Sequence, residues 1–351
     1  MFLCVSGHCR LRQRDGPYRT RTRTHKSIGT CTHGGSASLS QAQVGGDTLA
    51  GSAGQSVRCP LVSESPVLCL GETLWDVLPD RESLGGAPLN VAAHLTRLGI
   101  PAVLVSRVGA DARGRAALSE LRALGLDTTR VQIDPWLPTG EVRASLDAGG
   151  SAAYVFLQPA AWDRIEADAA TLRAADEAIA VVFGTLTQRT PASAAVVRQI
   201  LDNAHMRVLD VNLRAPHADR EVALASLSQA DFVKLNEDEV RVLADWLGIA
   251  ASAEALQNAL AERFDTSSLC ITRGADGAVL WHEGRWVRQH AYPVEVADTI
   301  GAGDAFLAML LAELFARQSA EVAMERAARL AAYVASQRSA VPDYDAAAFR
   351  S

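Results

Sequence analysis

DTIGAGDAF (Asp298–Phe306), which runs without a break into LAMLLAELF (Leu307–Phe315), is the most informative stretch of this 351-residue chain. Glycine at 301 and 303 lets the backbone approach a ligand closely. The apolar run Ala305–Phe315 is interrupted by Glu313 and is too short to cross a bilayer, which takes about 18 to 20 apolar residues. It reads instead as a helix buried in a core. At the start of such a helix, free N–H groups and the positive end of the helix dipole face one point. Gly301, Ala302 and Gly303 would therefore cradle the negative charge that develops on a transferring phosphoryl group. Asp304 stands beside that cradle and can take the proton of an attacking hydroxyl, a role that contributes about 10²- to 10⁴-fold. The helix end should favour its ionised form and make it a weaker base, which phosphoryl transfer tolerates because positioning and charge stabilisation dominate. An isolated GxGD reads equally as a helix N-cap, so the surrounding segments must decide.

Working outward, short apolar runs alternate with helical stretches from Pro66 onward. Strands are expected at 67–71, 102–109, 178–184, 207–212, 232–236, 269–274 and 278–282. Helices are expected at 89–98, 114–124, 192–203, 237–247, 253–263, 304–317 and 320–336. This rhythm gives a doubly wound, mostly parallel sheet flanked by helices, with ligands beyond the carboxyl ends of the strands. Residues 137–157 break it: EVRASLD and AAYVFL alternate on either side of Gly149 and Gly150, the signature of a hairpin. A small β-sheet lid, built from about 73–88 and 137–158, is the expectation, since excluding water strengthens electrostatics at a reacting phosphoryl group.

Charge divides the chain. Residues 1–63 carry eight Arg or Lys and two Asp, which leaves the remainder at −12 although the whole is −6. So acidic a body argues against a nucleic-acid surface. Residues 1–64 lack hydrophobic periodicity and read as a disordered extension; a targeting segment, an unstructured tail and a start codon placed too far upstream all remain open. Four of the six cysteines lie in that extension, while Cys69 and Cys270 sit in apolar runs as small hydrophobes, which suits a reducing cytoplasm. The histidines show no metal-ligand spacing, and the tryptophans other than Trp75 and Trp162 read as packing residues. No GxxxxGK[ST] is present, and VGADARG (108–114) lacks the dinucleotide spacing.

The segments around these runs resemble the ribokinase-like (PfkB) family of carbohydrate kinases, in family order from about Val67 to Pro342. DTIGAGDAF matches the family's C-terminal signature; LGGAPLNVAAHLTRLG (84–99) with SRVGADARG (106–114) is similar to its N-terminal one. The resemblance implies a ribokinase-like fold, with the catalytic base at Asp304 and the anion hole at Gly301, Ala302 and Gly303. It places sugar contacts at Asp76, Gly85, Gly86 and Asn90, with a helix cap as the plainer alternative for Asn90. LDVNLRAP (209–216) would face Asp210, Asn212 and Arg214 to the cleft, with Arg214 a partner for phosphate or a substrate carboxylate. KLNEDEV (234–240) resembles the NxxE motif, in which Asn236 lies at the nucleotide and Glu239 holds Mg²⁺ through water; Glu239 reads equally as a solvated first-turn carboxylate. ITRGADGAVL (271–280) resembles the TxGxxG turn, with Thr272, Gly274 and Gly277 at the nucleotide, or is a plain β-turn. Asp298 falls where many relatives ligate K⁺, but Ser339 stands where they often carry glycine.

The implied activity is ATP-dependent phosphorylation of a monosaccharide hydroxyl, with ATP and Mg²⁺ and with K⁺ at Asp298. Fructose is the first expectation, from TLWDVLP, GGAPLNVA and AAWDRI. A 2-keto-3-deoxygluconate kinase, or another sugar or nucleoside kinase, is the alternative, and a non-catalytic sugar- or nucleotide-binding regulator is the reading from a different class. Expected partners are the small-molecule sugar and ATP, with no nucleic acid and no membrane, and a homodimer formed through the lid, where the AAYVFL edge is apolar.

Overall fold

Alternation along the central strands sets the architecture. A computed structural model describes residues 65–77, 81–146 and 152–350. In its first strand Val67 and Cys69 turn to one apolar core and Leu68 and Leu70 to another. A strand buried on both faces needs a layer of helices on each. In chain order the strands are β1 (Val67–Leu70), β2 (Leu74–Val77), β3 (Glu82–Gly85), β4 (Ala102–Gly109), β5 (Val131–Asp134), β6 (Gly140–Leu146), β7 (Ala152–Phe156), β8 (Ala180–Gly184), β9 (Arg207–Asp210), β10 (Phe232–Asn236), β11 (Ser268–Thr272), β12 (Ala278–His282) and β13 (Arg285–Gln289). The α-helices are α1 (Ala87–Arg97), α2 (Ala112–Ala123), α3 (Ala169–Glu177), α4 (Pro191–Leu201), α5 (Arg220–Leu227), α6 (Glu237–Leu247), α7 (Ala253–Phe264), α8 (Ala302–Phe315) and α9 (Ala320–Ala335).

The large sheet has the order β13-β12-β11-β10-β9-β8-β1-β4-β5. Its strands are parallel from β5 to β11, and β12 and β13 run antiparallel. Helices α1, α2, α8 and α9 cover one face and α3 to α7 the other. From β1 the chain moves outward to β4 and β5, then returns to lay β8 on the opposite side of β1 and continues to β11. That reversal opens a crevice beyond the carboxyl ends of β1 and β8, the place where this class of sheet binds ligands.

A second sheet has the order β3-β2-β6-β7. The expected hairpin is its outer half, with Leu146 opposite Ala152; its connection, 147–151, lies outside the described residues, as does the 1–64 extension expected to be disordered. β7 is an edge strand on which Val155 stays exposed, as does Leu157 directly after it, the edge on which the sequence expects pairing of two copies. Trp136 departs from its expected packing role: it is 83% exposed, held by its backbone N–H on the Asp134 carboxylate at 2.8 Å.

Helix α8 is buried continuously from Asp304 to Glu313 and packs against α1 and α9. Its interrupting acid is accounted for, since Arg326 and Arg350 donate to the two oxygens of Glu313 at 2.7 and 2.8 Å. Among the described residues no helix is long and apolar enough to cross a membrane.

Candidate active site

The crevice is lined by Glu72 after β1, Pro88 at the start of α1, Gly184 at the end of β8, and Asp210 and Asn212 at the end of β9. Four elements therefore bring their chemistry-bearing ends to one place. Gly301 caps α8 in a left-handed conformation at φ 81°, and a Cβ there would sit 2.6 Å from the Cα of Ala340. Only glycine fits both the angle and the space. No side chain caps α8; its first N–H, that of Ala302, turns to the Thr299 carbonyl at 3.3 Å, and a helix start leaves further N–H groups for an anion.

Asp304 lies in the first turn of α8 rather than at its cap, and it is buried. Burial, then the negative charge of Asp210, push its pKa up to about 6, against Lys234, the Asn90 hydrogen bond and Arg214. This corrects the expectation that the helix end would weaken the base: desolvation, with Asp210 adding to it, raises the carboxyl. Asn90 is not a cap either. It lies inside α1, and its Nδ2 donates to Asp304 Oδ2 at 2.7 Å, which ties α1 to α8.

Asp76 on β2 is also lifted to about 6, by burial first, with Arg214 opposing and Asp298 and Asp304 adding to it. A Cβ on Gly85 would collide with the Asp76 carboxylate, and one on Gly86 with the carbonyl of Glu72. The diglycine thus lets β3 pass beside Asp76 and enter α1. Gly86 brings no side-chain cap to that helix; Glu72 does the work, accepting the Ala87 N–H at 3.2 Å and the Thr187 hydroxyl at 2.8 Å. Arg214 is exposed and bonds the neighbouring Leu213 carbonyl at 3.4 Å, close enough to act on Asp76, Glu72 and Asp304.

Asn236 caps α6, and Glu239 returns the bond: the Glu239 N–H donates to Asn236 Oδ1 at 2.9 Å, and the Asn236 N–H to Glu239 Oε2 at 2.8 Å. The Leu213 N–H donates to Glu239 Oε1 at 2.7 Å. Glu239 is therefore a buried carboxylate joining the ends of β9 and β10, not a solvated first-turn acid. Burial, followed by Asp210, raises its pKa. Thr272 ends β11, and Gly274 and Gly277 shape the turn into β12 at φ 53° and 87°. A Cβ on Gly277 would lie 2.8 Å from the Ala291 nitrogen, so the turn packs closely on the segment after β13.

A family model described as pfkB family carbohydrate kinase matches residues 67–347. The chain belongs to this family. It is an ATP-dependent carbohydrate kinase. Fructokinase from Escherichia coli is 30% identical over 264 residues, 71% of this chain and 84% of its own length. A 2-dehydro-3-deoxygalactonokinase from Haloferax volcanii is 29% identical over 270 residues, 70% and 80% of the respective chains. The crystal structure of fructokinase with bound ATP from Xylella fastidiosa shares the fold, with a TM-score of 0.71 over 79% of this chain and 94% of its own at 23% identity.

Three residues of this pfkB kinase escape a reading of motifs. Lys234 on β10 is buried and donates to both oxygens of Asp210 at 3.1 and 3.0 Å. Its ammonium group would lie 3.1 Å from a Cβ on Gly303, directly behind the cradle. Burial opposes its charge, but Asp210, Asp304 and Glu239 together hold its pKa above the ordinary value. A lysine inside the apolar strand FVKLN was the available signal, because a buried cation demands a partner. Glu72 carries a weaker signal, an acid directly after a buried strand. Arg81, before β3, pairs with Asp298; nothing in its local sequence marks it.

Proposed function

We propose that this kinase transfers the γ-phosphoryl group of ATP in line to a primary hydroxyl of a monosaccharide, with fructose the acceptor. The observation that carries the reading is Asp304: buried beside an uncapped helix start, lifted to about 6, and oriented by Asn90. The hydroxyl oxygen bonds to the γ-phosphorus, the bond to the β-bridging oxygen breaks, and the hydroxyl proton passes to Asp304 Oδ1. The N–H groups of Gly301, Ala302 and Gly303 take the charge that builds on the equatorial oxygens. Asp76 and the Gly85–Gly86 backbone hold the sugar, and Thr272, Gly274, Gly277 and Asn236 line the nucleotide. The small sheet, with the kinase domain spanning 65–351, covers the cleft and excludes water.

The donor set suits magnesium that keeps its waters. Each oxygen of Glu239 accepts one backbone N–H and has a lone pair left for a metal-bound water. Bound with the nucleotide, the ion supplies neutralisation of the phosphate charge.

Likeness to the E. coli fructokinase supports fructose. Arg214, exposed beside the sugar-side carboxylates, supports a second reading in which the acceptor is a 2-keto-3-deoxy sugar acid paired through its carboxylate. ADP release measured with ATP, Mg²⁺ and a panel holding both sugars decides between them. Asp304→Asn should lower kcat by about 10²- to 10⁴-fold at little change in KM; a mutant that keeps its turnover removes Asp304 from the base role. Sugar and nucleotide binding without any ADP release would mark a regulator instead.

A further inference from the structure

The resemblance assigns Asp298 to a monovalent cation, and the residues around it do not fit that group. Asp298 Oδ1 accepts the Ile300 N–H at 3.0 Å, while Oδ2 accepts from Arg81 Nη2. The two side chains are 17% and 30% exposed, so the pair is mostly withdrawn from water. Nearby, the Ala335 carbonyl takes the N–H groups of both Ala297 and Asp298, at 2.9 and 3.2 Å, and the Ser339 hydroxyl oxygen accepts the Val341 N–H at 3.2 Å. Both carboxylate oxygens of Asp298 thus already accept N–H donors, and the Arg81 guanidinium among them carries the full positive charge that an entering cation would have to displace.

We propose that Arg81 is a built-in cation: its guanidinium stands against Asp298 where a monovalent ion would otherwise bind, so turnover by this chain does not depend on potassium. A guanidinium is charged at every working pH and makes charge-assisted bonds with fixed geometry; an alkali ion would have to displace it and lose its own water to enter. The arrangement has a second consequence. Arg81 directly precedes β3 of the small sheet, whereas Asp298 precedes the cradle of α8. The positive charge therefore reaches the cradle's approach only with that sheet seated over the cleft, which couples covering the site to completing its electrostatics. Asp76 feels both members of the pair, Asp298 raising and Arg81 lowering its pKa, so the pair lies on the sugar side of the site.

The inference rests on the kinase reading, and its test separates the two. ADP release by wild type, with the preferred sugar, is measured across a potassium titration against tetramethylammonium at constant ionic strength, alongside Tm in the same series. Wild type should be flat in both. Arg81→Gln should lose at least about fivefold in kcat/KM, the low end of coupling between linked sites, and potassium should restore part of that loss and raise its Tm. Arg81→Lys, which keeps the charge, should stay flat and guards against a folding defect. Potassium stimulation of wild type by about fivefold or more overturns the proposal, as does an Arg81→Gln variant in which neither turnover nor Tm responds. A wild type without kinase activity sinks the kinase reading, and the Tm series then still tests Arg81.

Discussion

Asp304 and Asp76 show how burial tunes chemistry at single residues. Burial pushes both carboxyls up to about 6, and the proposed reaction uses both ionised, one to accept a proton and one to accept hydroxyl hydrogen bonds. Because each pKa is raised, the active form is present above about 6 and is lost as pH falls through it. The acid limb of kcat/KM, which reports the free enzyme, should centre near pH 6 and fall more steeply than a single protonation gives; Asp76→Asn should reduce it to a one-proton limb at lower overall efficiency. Lys234 opposes the rise at Asp304, so Lys234→Met should shift that limb to higher pH. It should also cost on the order of 3 kcal/mol, measured by urea unfolding, by leaving Asp210 buried without its cation. An unshifted limb would show that Lys234 does not act on the base. The roles proposed for Asp304 and Gly301 follow from residue type and spacing, but the Asn90–Asp304 bond spans 214 positions and has no local signature. Direction was misjudged at Asp304 for the same reason: the dipole is local and readable, while desolvation is set by what the rest of the chain packs around it.

Among the elements, legibility followed burial. Every expected strand of the large sheet formed, because a strand covered on both faces is a continuous apolar run. The two that the sequence hid, β5 and β13, are the edges of the sheet. Edge strands are short and carry charge against further pairing, and RWVRQ and VQID accordingly lack an apolar run. Helix α8 is the opposite case, apolar nearly all round and buried, with Glu313 its one acid besides Asp304. That acid holds Arg326 of α9 and Arg350 near the end of the described chain. Replacing it in Glu313→Ala leaves two guanidinium groups without their carboxylate, at a cost of about 3 kcal/mol. Since Glu313 lies about two and a half turns from Asp304 along α8, Tm should drop while kcat and the acid limb stay in place; a loss of kcat at unchanged Tm would mean that α8 transmits its far end to the cradle.

At the scale of the whole molecule, the matched family span is 67–347, and every residue assigned to the site lies within it. Residues 1–63 contribute instead a block of positive charge, and without them the chain goes from −6 to −12. Net charge acts on encounter, not on the chemistry of a bound complex, and it is screened beyond about 8 Å at physiological salt. A chain beginning at Glu64 should therefore keep kcat and Tm, and at physiological ionic strength its kcat/KM for ATP should match that of the full chain. At low ionic strength the comparison should change sign for one substrate only: the more acidic body repels a polyanion, so kcat/KM falls for ATP and stays level for the neutral sugar. Steady-state kinetics at two salt concentrations, with each substrate varied in turn, separates these effects. A fall in kcat that persists at physiological salt would give the extension a part in the catalytic step itself.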